Sequence, residues 1–136
     1  MNTKQYLEQI KRLDAQIANK LKEIHNLRLM VDSIGSISDA DKVQTSPTKD
    51  KIGVIVAKVV DMEREVDFMV DKRWNIVTQI ESVKENESYD ILAKVYVLGQ
   101  DFKAIAIDKG MSYRHFLRLH DKSIMDFEAM YGVEHE

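Results

Sequence analysis

Apolar residues recur at intervals of seven along the first 34 residues of the chain. The two positions of this heptad hold Ile10, Ile17, Ile24 and Val31, and Tyr6, Leu13 and Leu27. Lys20 interrupts the second position. An apolar stripe that repeats in this way predicts a long helix that packs along one face against another helix.

A second heptad pattern begins at Ile52 and continues to Val83. Its two positions hold Ile52, Val59, Val66 and Ile80, and Ile55, Met62, Met69, Ile76 and Val83. The β-branched run at 52–60 can also be interpreted as a strand, but the unbroken heptad favours a helix because strands alternate every two residues. Arg73 interrupts this stripe as Lys20 interrupts the first. Each cation is expected either to lay its aliphatic stem along the seam or to set the register as a buried pair.

Gly35, Pro47 and several serines separate the two heptad segments, and this composition predicts a flexible loop at about 35–50. Neither heptad helix can bury its stripe alone, so the two pair as a hairpin within the chain, as a dimer, or both. We therefore expect residues 1–87 to form a long antiparallel coiled-coil hairpin, with the heptad helices also supporting a homo-oligomer.

The C-terminal third carries capping residues and glycines that divide it into three short helices. Ser88, Asp101 and Ser112 are expected to cap helices at 89–98, 102–109 and 113–130. Each of these helices is followed by a glycine, namely Gly99, Gly110 and Gly132. The short turn between the second and third helices is typical of a helix-turn-helix unit at 88–136. The predicted fold class is therefore all-α.

The last helix has two distinct faces at about 100° per residue. Its inward stripe is predicted to consist of Phe116, Leu119, Ser123 and Phe127, with Ile124 at its edge. Arg114 and Arg118 lie about 160° and 200° from Phe116, one turn apart, where the second helix of a helix-turn-helix contacts base edges. His120 lies on the inward side and is expected to be a hydrogen-bonded core histidine.

The candidate DNA-binding residues surround these two arginines, and they are Lys109, Ser112, Tyr113, Arg114, His115, Arg118 and Lys122. Tyr113 and His115 are expected to reach phosphates. The Ser112 hydroxyl and the open N–H groups of the first helical turn are suited to a phosphate oxygen. The alternative interpretation is that this cationic face is only solvated surface.

Charge and composition narrow the function classes. The chain carries a net charge of −3, yet residues 109–122 hold four cations against one acid, a local surplus of +3. The apolar run at 52–60 is far shorter than the roughly 20 residues of a membrane span, and the charged N-terminus has no signal-peptide core. With no cysteine in the chain, we expect a cytoplasmic protein without membrane association.

The motifs of common enzymes are absent from the sequence. It contains no Gly-rich phosphate loop, no nucleophile elbow and no HExxH motif. His115 and His120 are five residues apart, so they cannot share a metal on one helix face. We expect neither an enzyme nor a cofactor or metal site.

Three segments of the chain carry a family resemblance. "KQYLEQIKRLDAQI", "DKVQTSPTKDKIGVIVAKVVDMEREV" and "AIAIDKGMSYRHFLRLHDKSI" resemble small proteins of unassigned function that phages and prophages of Gram-positive bacteria encode. The last segment is also similar to region four of sigma factors and to phage late-gene and autolysin-regulatory activators. The triad at 104–106, Gly110, Ser112, Arg114 and Arg118 match that pattern.

The resemblance implies a transcriptional regulator that binds promoter DNA in the bacterial host, with RNA polymerase as a further partner. The competing hypothesis is a coiled-coil adaptor or inhibitor, of the anti-host or anti-CRISPR type, that binds a host protein without contacting DNA. The net acidity and the two long heptad helices favour this alternative.

Overall fold

The computed structural model describes residues 1–40 and 46–132, without the side chains of residues 36–40 and 46–48. All regular structure within these residues is helical, as the sequence predicts. The helices are α1 (Thr3–Ala40), α2 (Ser46–Glu81), α3 (Asn86–Leu92), α4 (Phe102–Asp108) and α5 (Tyr113–Tyr131). A π-helical segment, Ala93–Val97, continues directly from α3.

The predicted loop at 35–50 is wrong for most of its length. α1 continues to Ala40 and α2 begins at Ser46, so residues 35–40 and 46–50 are helical. Residues 41–45 lie outside the described part of the chain. Gly35 weakens a helix without ending it. Pro47 falls in the first turn of α2, where its missing N–H would have no intrahelical acceptor.

The chain divides into two compact units. One comprises Met1–Asp14 and Lys72–Glu136, and the other comprises Ala15–Asp71. The first turns of α1 and the end of α2 therefore belong with the C-terminal helices. This division differs from the predicted boundary between residues 87 and 88.

The two heptad stripes meet inside the 15–71 unit. Its buried core is formed by Ile24, Ile55, Val59, Met62 and Val66. Lys20 pairs with Glu65 at 2.9 Å and Arg28 pairs with Glu63 at 2.8 Å, so α1 and α2 run antiparallel in this unit. The stripes consequently pair within one chain, and Lys20 is held by a carboxylate at the edge of the seam.

In the unit that contains both termini, α1 and α2 also run antiparallel. Their fully buried core residues are Leu7, Ile10, Ile76 and Ile80. Arg73 forms an ion pair with Asp14 across the two helices, so this cation too has an acidic partner and is partly exposed. Neither Lys20 nor Arg73 is therefore a fully buried, register-setting charge.

The start of α1 packs against α5 in the same unit. Thr3 Oγ1 donates a 2.7 Å hydrogen bond to Glu128 Oε1, and the rings of Tyr6 and Phe127 lie 6.2 Å apart. α3, α4 and α5 share a core of Ile91, Ile105, Ala106 and Phe116. The start of α5 is thus held by α3 and α4, and its last turns are held by α1.

Candidate nucleic-acid interface

The turn between α4 and α5 is a hydrogen-bonded helix C-cap. The Met111 N–H donates to Ala106 O and the Gly110 N–H donates to Ile107 O, each at 3.0 Å. Gly110 has a φ of 68°, in the left-handed region that glycine adopts without a Cβ penalty. Met111 packs onto the core that contains Ala106. The turn is therefore closed by backbone bonds and anchored by one apolar side chain.

Ser112 then begins α5 as the sequence predicts. Its backbone is extended, with φ −67° and ψ 153°, and its hydroxyl accepts a 3.1 Å hydrogen bond from the His115 N–H. The predicted Asp101 boundary of α4 is also correct, although its side chain makes no capping bond. The Ser88 prediction is wrong, because Glu85 is the N-cap of α3 and Ser88 lies inside the helix.

The inward stripe of α5 is confirmed. Its buried residues are Phe116, His120, Ser123, Ile124 and Phe127, and Leu119 is half-buried. Phe116 makes an edge contact with Phe102 of α4, with ring centroids 5.3 Å apart. Burial of this stripe fixes the rotation of α5 about its axis, and therefore fixes which residues face solvent.

Arg114 and Arg118 lie on the exposed face of α5. Within the described part of the chain, neither guanidinium makes an ion pair or a hydrogen bond. Both therefore keep all their N–H donors available for a ligand. This is the arrangement that the sequence predicts for base-edge contacts.

Lys109 does not belong to this exposed set. Its Nζ lies 2.6 Å from an Asp90 carboxylate oxygen and 3.9 Å from Glu87, and only 16% of its side chain is exposed. Asp90 also accepts a 3.0 Å bond from Lys94. Burial raises the pKa of Asp90, but the two lysines outweigh it and leave that pKa below its ordinary value. Lys109 therefore anchors the turn to α3 and is removed from the ligand-binding set.

The remaining candidates lie near the two arginines, and they differ in how far existing contacts already engage their side chains. Lys122 is exposed but forms an i, i+4 pair with Asp126 at 3.1 Å. His115 is exposed, and the Ser112 hydroxyl is engaged as the helix cap while its own O–H is still able to donate. Tyr113 is exposed, with the Lys103 ammonium 5.9 Å from its ring centroid.

Sequence reasoning missed Lys103. It lies on α4, and its position in the sequence carries no capping or periodic signal. The packing of α4 against α5 brings it next to Tyr113, the first residue of α5. Lys103 is exposed, so it places a further cation beside the start of α5.

A buried polar pair fixes α5 against the π-helical segment. The Tyr96 hydroxyl and His120 Nε2 are 2.8 Å apart, and both side chains are buried. Burial, reinforced by the Lys4 charge and partly opposed by Asp121, lowers the pKa of His120. Burial raises the pKa of Tyr96. His120 is therefore the hydrogen-bonded core histidine that the sequence predicts.

The π-helical segment sets the position of Tyr96. The Leu98 N–H donates to Ala93 O at 2.9 Å, five residues earlier, and Gly99 ends the segment with a φ of 66°. A π-turn rotates the side chains that follow it relative to a regular α-helix. Ser88 of α3 forms a second hydrogen bond to α5, which its hydroxyl donates to the Asp126 carboxylate. This bond and the Lys122 ammonium lower the pKa of the Asp126 carboxyl.

Within the described residues, no helix is long and apolar enough to cross a lipid bilayer. Comparisons with protein families, with curated proteins and with solved structures give no match to this chain.

Proposed function

We propose that this protein is a transcriptional regulator that binds double-stranded DNA through α5. The observation that carries the proposal is the pair of exposed arginines, Arg114 and Arg118, which have no partner among the described residues and lie one turn apart opposite a buried aromatic stripe. An α-helix fits the major groove of B-DNA, and arginine donates two hydrogen bonds to the edge of guanine.

The neighbouring groups suit contacts to the DNA backbone. Lys103 and Tyr113 lie beside the start of α5, where phosphates flank a helix that enters the groove. The Ser112 hydroxyl, His115 and Lys122 complete the proposed surface, while Lys109 is excluded by its ion pair with Asp90. The resemblance of the sequence motif at 104–118 to region four of sigma factors supports promoters as the targets, with RNA polymerase as a second partner.

The test measures duplex binding by fluorescence anisotropy, using a DNA selected by the wild-type protein from a random library. Arg114→Ala/Arg118→Ala is compared with Arg12→Ala/Arg64→Ala, which removes the same two charges from exposed positions elsewhere. Each good arginine–guanine pair is worth about 1–3 kcal/mol, so the first variant should lose roughly 30-fold or more in affinity and its sequence preference. The second should bind within about threefold of wild type.

Salt dependence separates phosphate contacts from base contacts. Lys103→Ala is expected to weaken binding to all duplexes alike and to reduce the slope of log affinity against log salt by about one. A wild-type protein that binds no duplex at low salt, or two double variants that bind equally, would contradict the proposal.

A second candidate function rests on different residues. Phe68, in the 15–71 unit, exposes 71% of its surface, and Trp74, in the unit that contains both termini, exposes 68%. Large aromatic side chains are enriched at the centres of protein interfaces, so each of these two side chains is suited to contact another protein. An adaptor or inhibitor of a host protein is the function that this observation favours.

The adaptor is tested by affinity capture from a nuclease-treated lysate of the bacterial host. A stoichiometric protein partner that Phe68→Ala/Trp74→Ala loses and Arg114→Ala/Arg118→Ala retains would support it. Retained DNA with no stoichiometric protein would oppose it.

A further inference from the structure

One side of the hairpin in the 15–71 unit carries apolar residues that its core does not use. Leu21, Val56, Val60 and Val70 each expose between 43% and 51% of their surface, although the heptad stripes are buried. At one end of this side, Val56 and Val60 form a groove of about 350 Å³ with Val31 and the core residue Val59. Arg28, Asp32 and Glu63 complete the lining.

The apolar residues lie on either side of an ion pair. Arg28 and Glu63 are 2.8 Å apart, and both side chains are about half exposed. Leu21 lies seven residues from Arg28, and Val56 and Val70 each lie seven residues from Glu63. Residues seven apart fall on the same face of a helix, about two turns or 10 Å from each other. The side therefore consists of an apolar layer, an ionic layer and a second apolar layer, which we call the Arg28 face.

We propose that a second copy of this chain docks on the Arg28 face, with a two-fold axis parallel to the helices. In this arrangement α1 of each copy lies against α2 of the other, and the four helices form an antiparallel bundle. Each of the three layers then packs against the same layer of the second copy. Leu21 and Val70 pack against Leu21 and Val70 of the second copy. The groove beside Val56 and Val60 packs against the same groove of the second copy.

The ionic layer determines this choice of axis. With the axis parallel to the helices, the two Arg28 and two Glu63 side chains alternate in sign around the bundle, so each cation has two anionic neighbours. A two-fold axis perpendicular to the helices would place Arg28 against Arg28 and Glu63 against Glu63, and like charges at close range are repulsive. The layer formed by Arg28 and Glu63 is thus complementary in charge to itself, which favours a second copy over an unrelated partner.

The oligomeric state of the full chain is the first test. Sedimentation equilibrium over about 1–100 μM should give the wild type twice the 15.8 kDa mass of the chain at the upper end of the range. Val60→Asp should give 15.8 kDa with unchanged helicity by circular dichroism. The matched control is Val54→Asp, because Val54 is 70% exposed and lies about 180° from Glu63 on the same helix, and it should remain a dimer.

Charge reversal tests the ionic layer independently of the valines. Arg28→Glu and Glu63→Arg should each weaken the dimer at least tenfold, and the double reversal should restore it to within about threefold. Arg64→Glu, one residue away and exposed, should leave the dimer intact. A monomeric wild type, or a dimer that Val54→Asp or Arg64→Glu disrupts as strongly as the face variants do, would overturn the proposal.

Cross-linking tests the register, and the absence of cysteine from the chain makes single thiols unambiguous. A mixture of Leu21→Cys and Val70→Cys chains should be joined by a short thiol-reactive cross-linker. A mixture of Val56→Cys and Val70→Cys chains should not, because these positions lie about 21 Å apart along the helices. Efficient joining of the second mixture, and not of the first, would indicate the perpendicular axis and refute the arrangement.

Discussion

Replacing Asp90 by asparagine would leave Lys109 largely buried without its nearest anion. The two groups are 2.6 Å apart, 16% of the Lys109 side chain is exposed, and Glu87 at 3.9 Å is the other acid near its ammonium among the described residues. Lys109 is the C-cap of α4, so the pair holds the turn that leads into α5. The substitution therefore acts on the turn that positions Arg114 and Arg118 at the start of α5.

The size of the effect follows from distance and exposure. Unit charges 2.6 Å apart attract by about 6 kcal/mol at an effective dielectric constant of about 20. Because 39% of the Asp90 side chain is exposed and both ions lose hydration on folding, solvent screening and desolvation reduce this attraction. We expect a net coupling of about 1–2 kcal/mol between Asp90 and Lys109.

The stabilisation by the Asp90–Lys109 pair also depends on pH. The pKa of Asp90 is lowered in the folded protein, so the unfolded chain binds the proton more readily. The stabilisation by the pair is therefore fully present above the unfolded pKa of about 3.9 and is lost as the pH falls through the lower folded value.

A double-mutant cycle measures the coupling directly. Urea unfolding of Asp90→Asn, Lys109→Met and the double variant is followed by far-ultraviolet circular dichroism. Asp90→Asn should cost about 2 kcal/mol, and the double variant should be less destabilised than the sum of the single variants by about 1–2 kcal/mol. The matched cycle with Lys94→Met should give a coupling of only about 0.2–0.5 kcal/mol, since that pair is a local i, i+4 contact. Additive effects of Asp90→Asn and Lys109→Met would refute the reasoning.

Two further predictions concern α5 itself. Ser112→Ala should lower the free energy of unfolding by about 1 kcal/mol because the His115 N–H loses its acceptor, whereas Ser112→Asp should retain most of the stability; equal losses in urea titrations would contradict a capping role. His120 has a lowered pKa in the folded state, so its contribution to stability is present above the unfolded pKa of about 6.5 and is lost as the pH falls below it. The urea midpoint should therefore decrease as the pH is lowered from about 7.5 to about 5, and His120→Gln should flatten that profile.

Several features of this protein follow from the sequence because they depend on neighbours in the chain. The seven-residue repeats give two long helices with apolar stripes, since a helix places residues seven apart on one face. Gly110 and Ser112 fix the end of α4 and the start of α5, because left-handed backbone and an N-cap hydroxyl are local requirements. The period around Phe116 also fixes which side of α5 is buried.

Tertiary structure decides what the local pattern leaves open. Lys109 and Arg114 are both cations near one glycine, yet only folding reveals that Lys109 meets Asp90 of α3. The contact between Thr3 and Glu128 joins residues 125 positions apart, which no periodic pattern encodes. Helical periodicity specifies the face on which a side chain lies, whereas the partner of a long charged or polar side chain depends on which distant element is packed beside it.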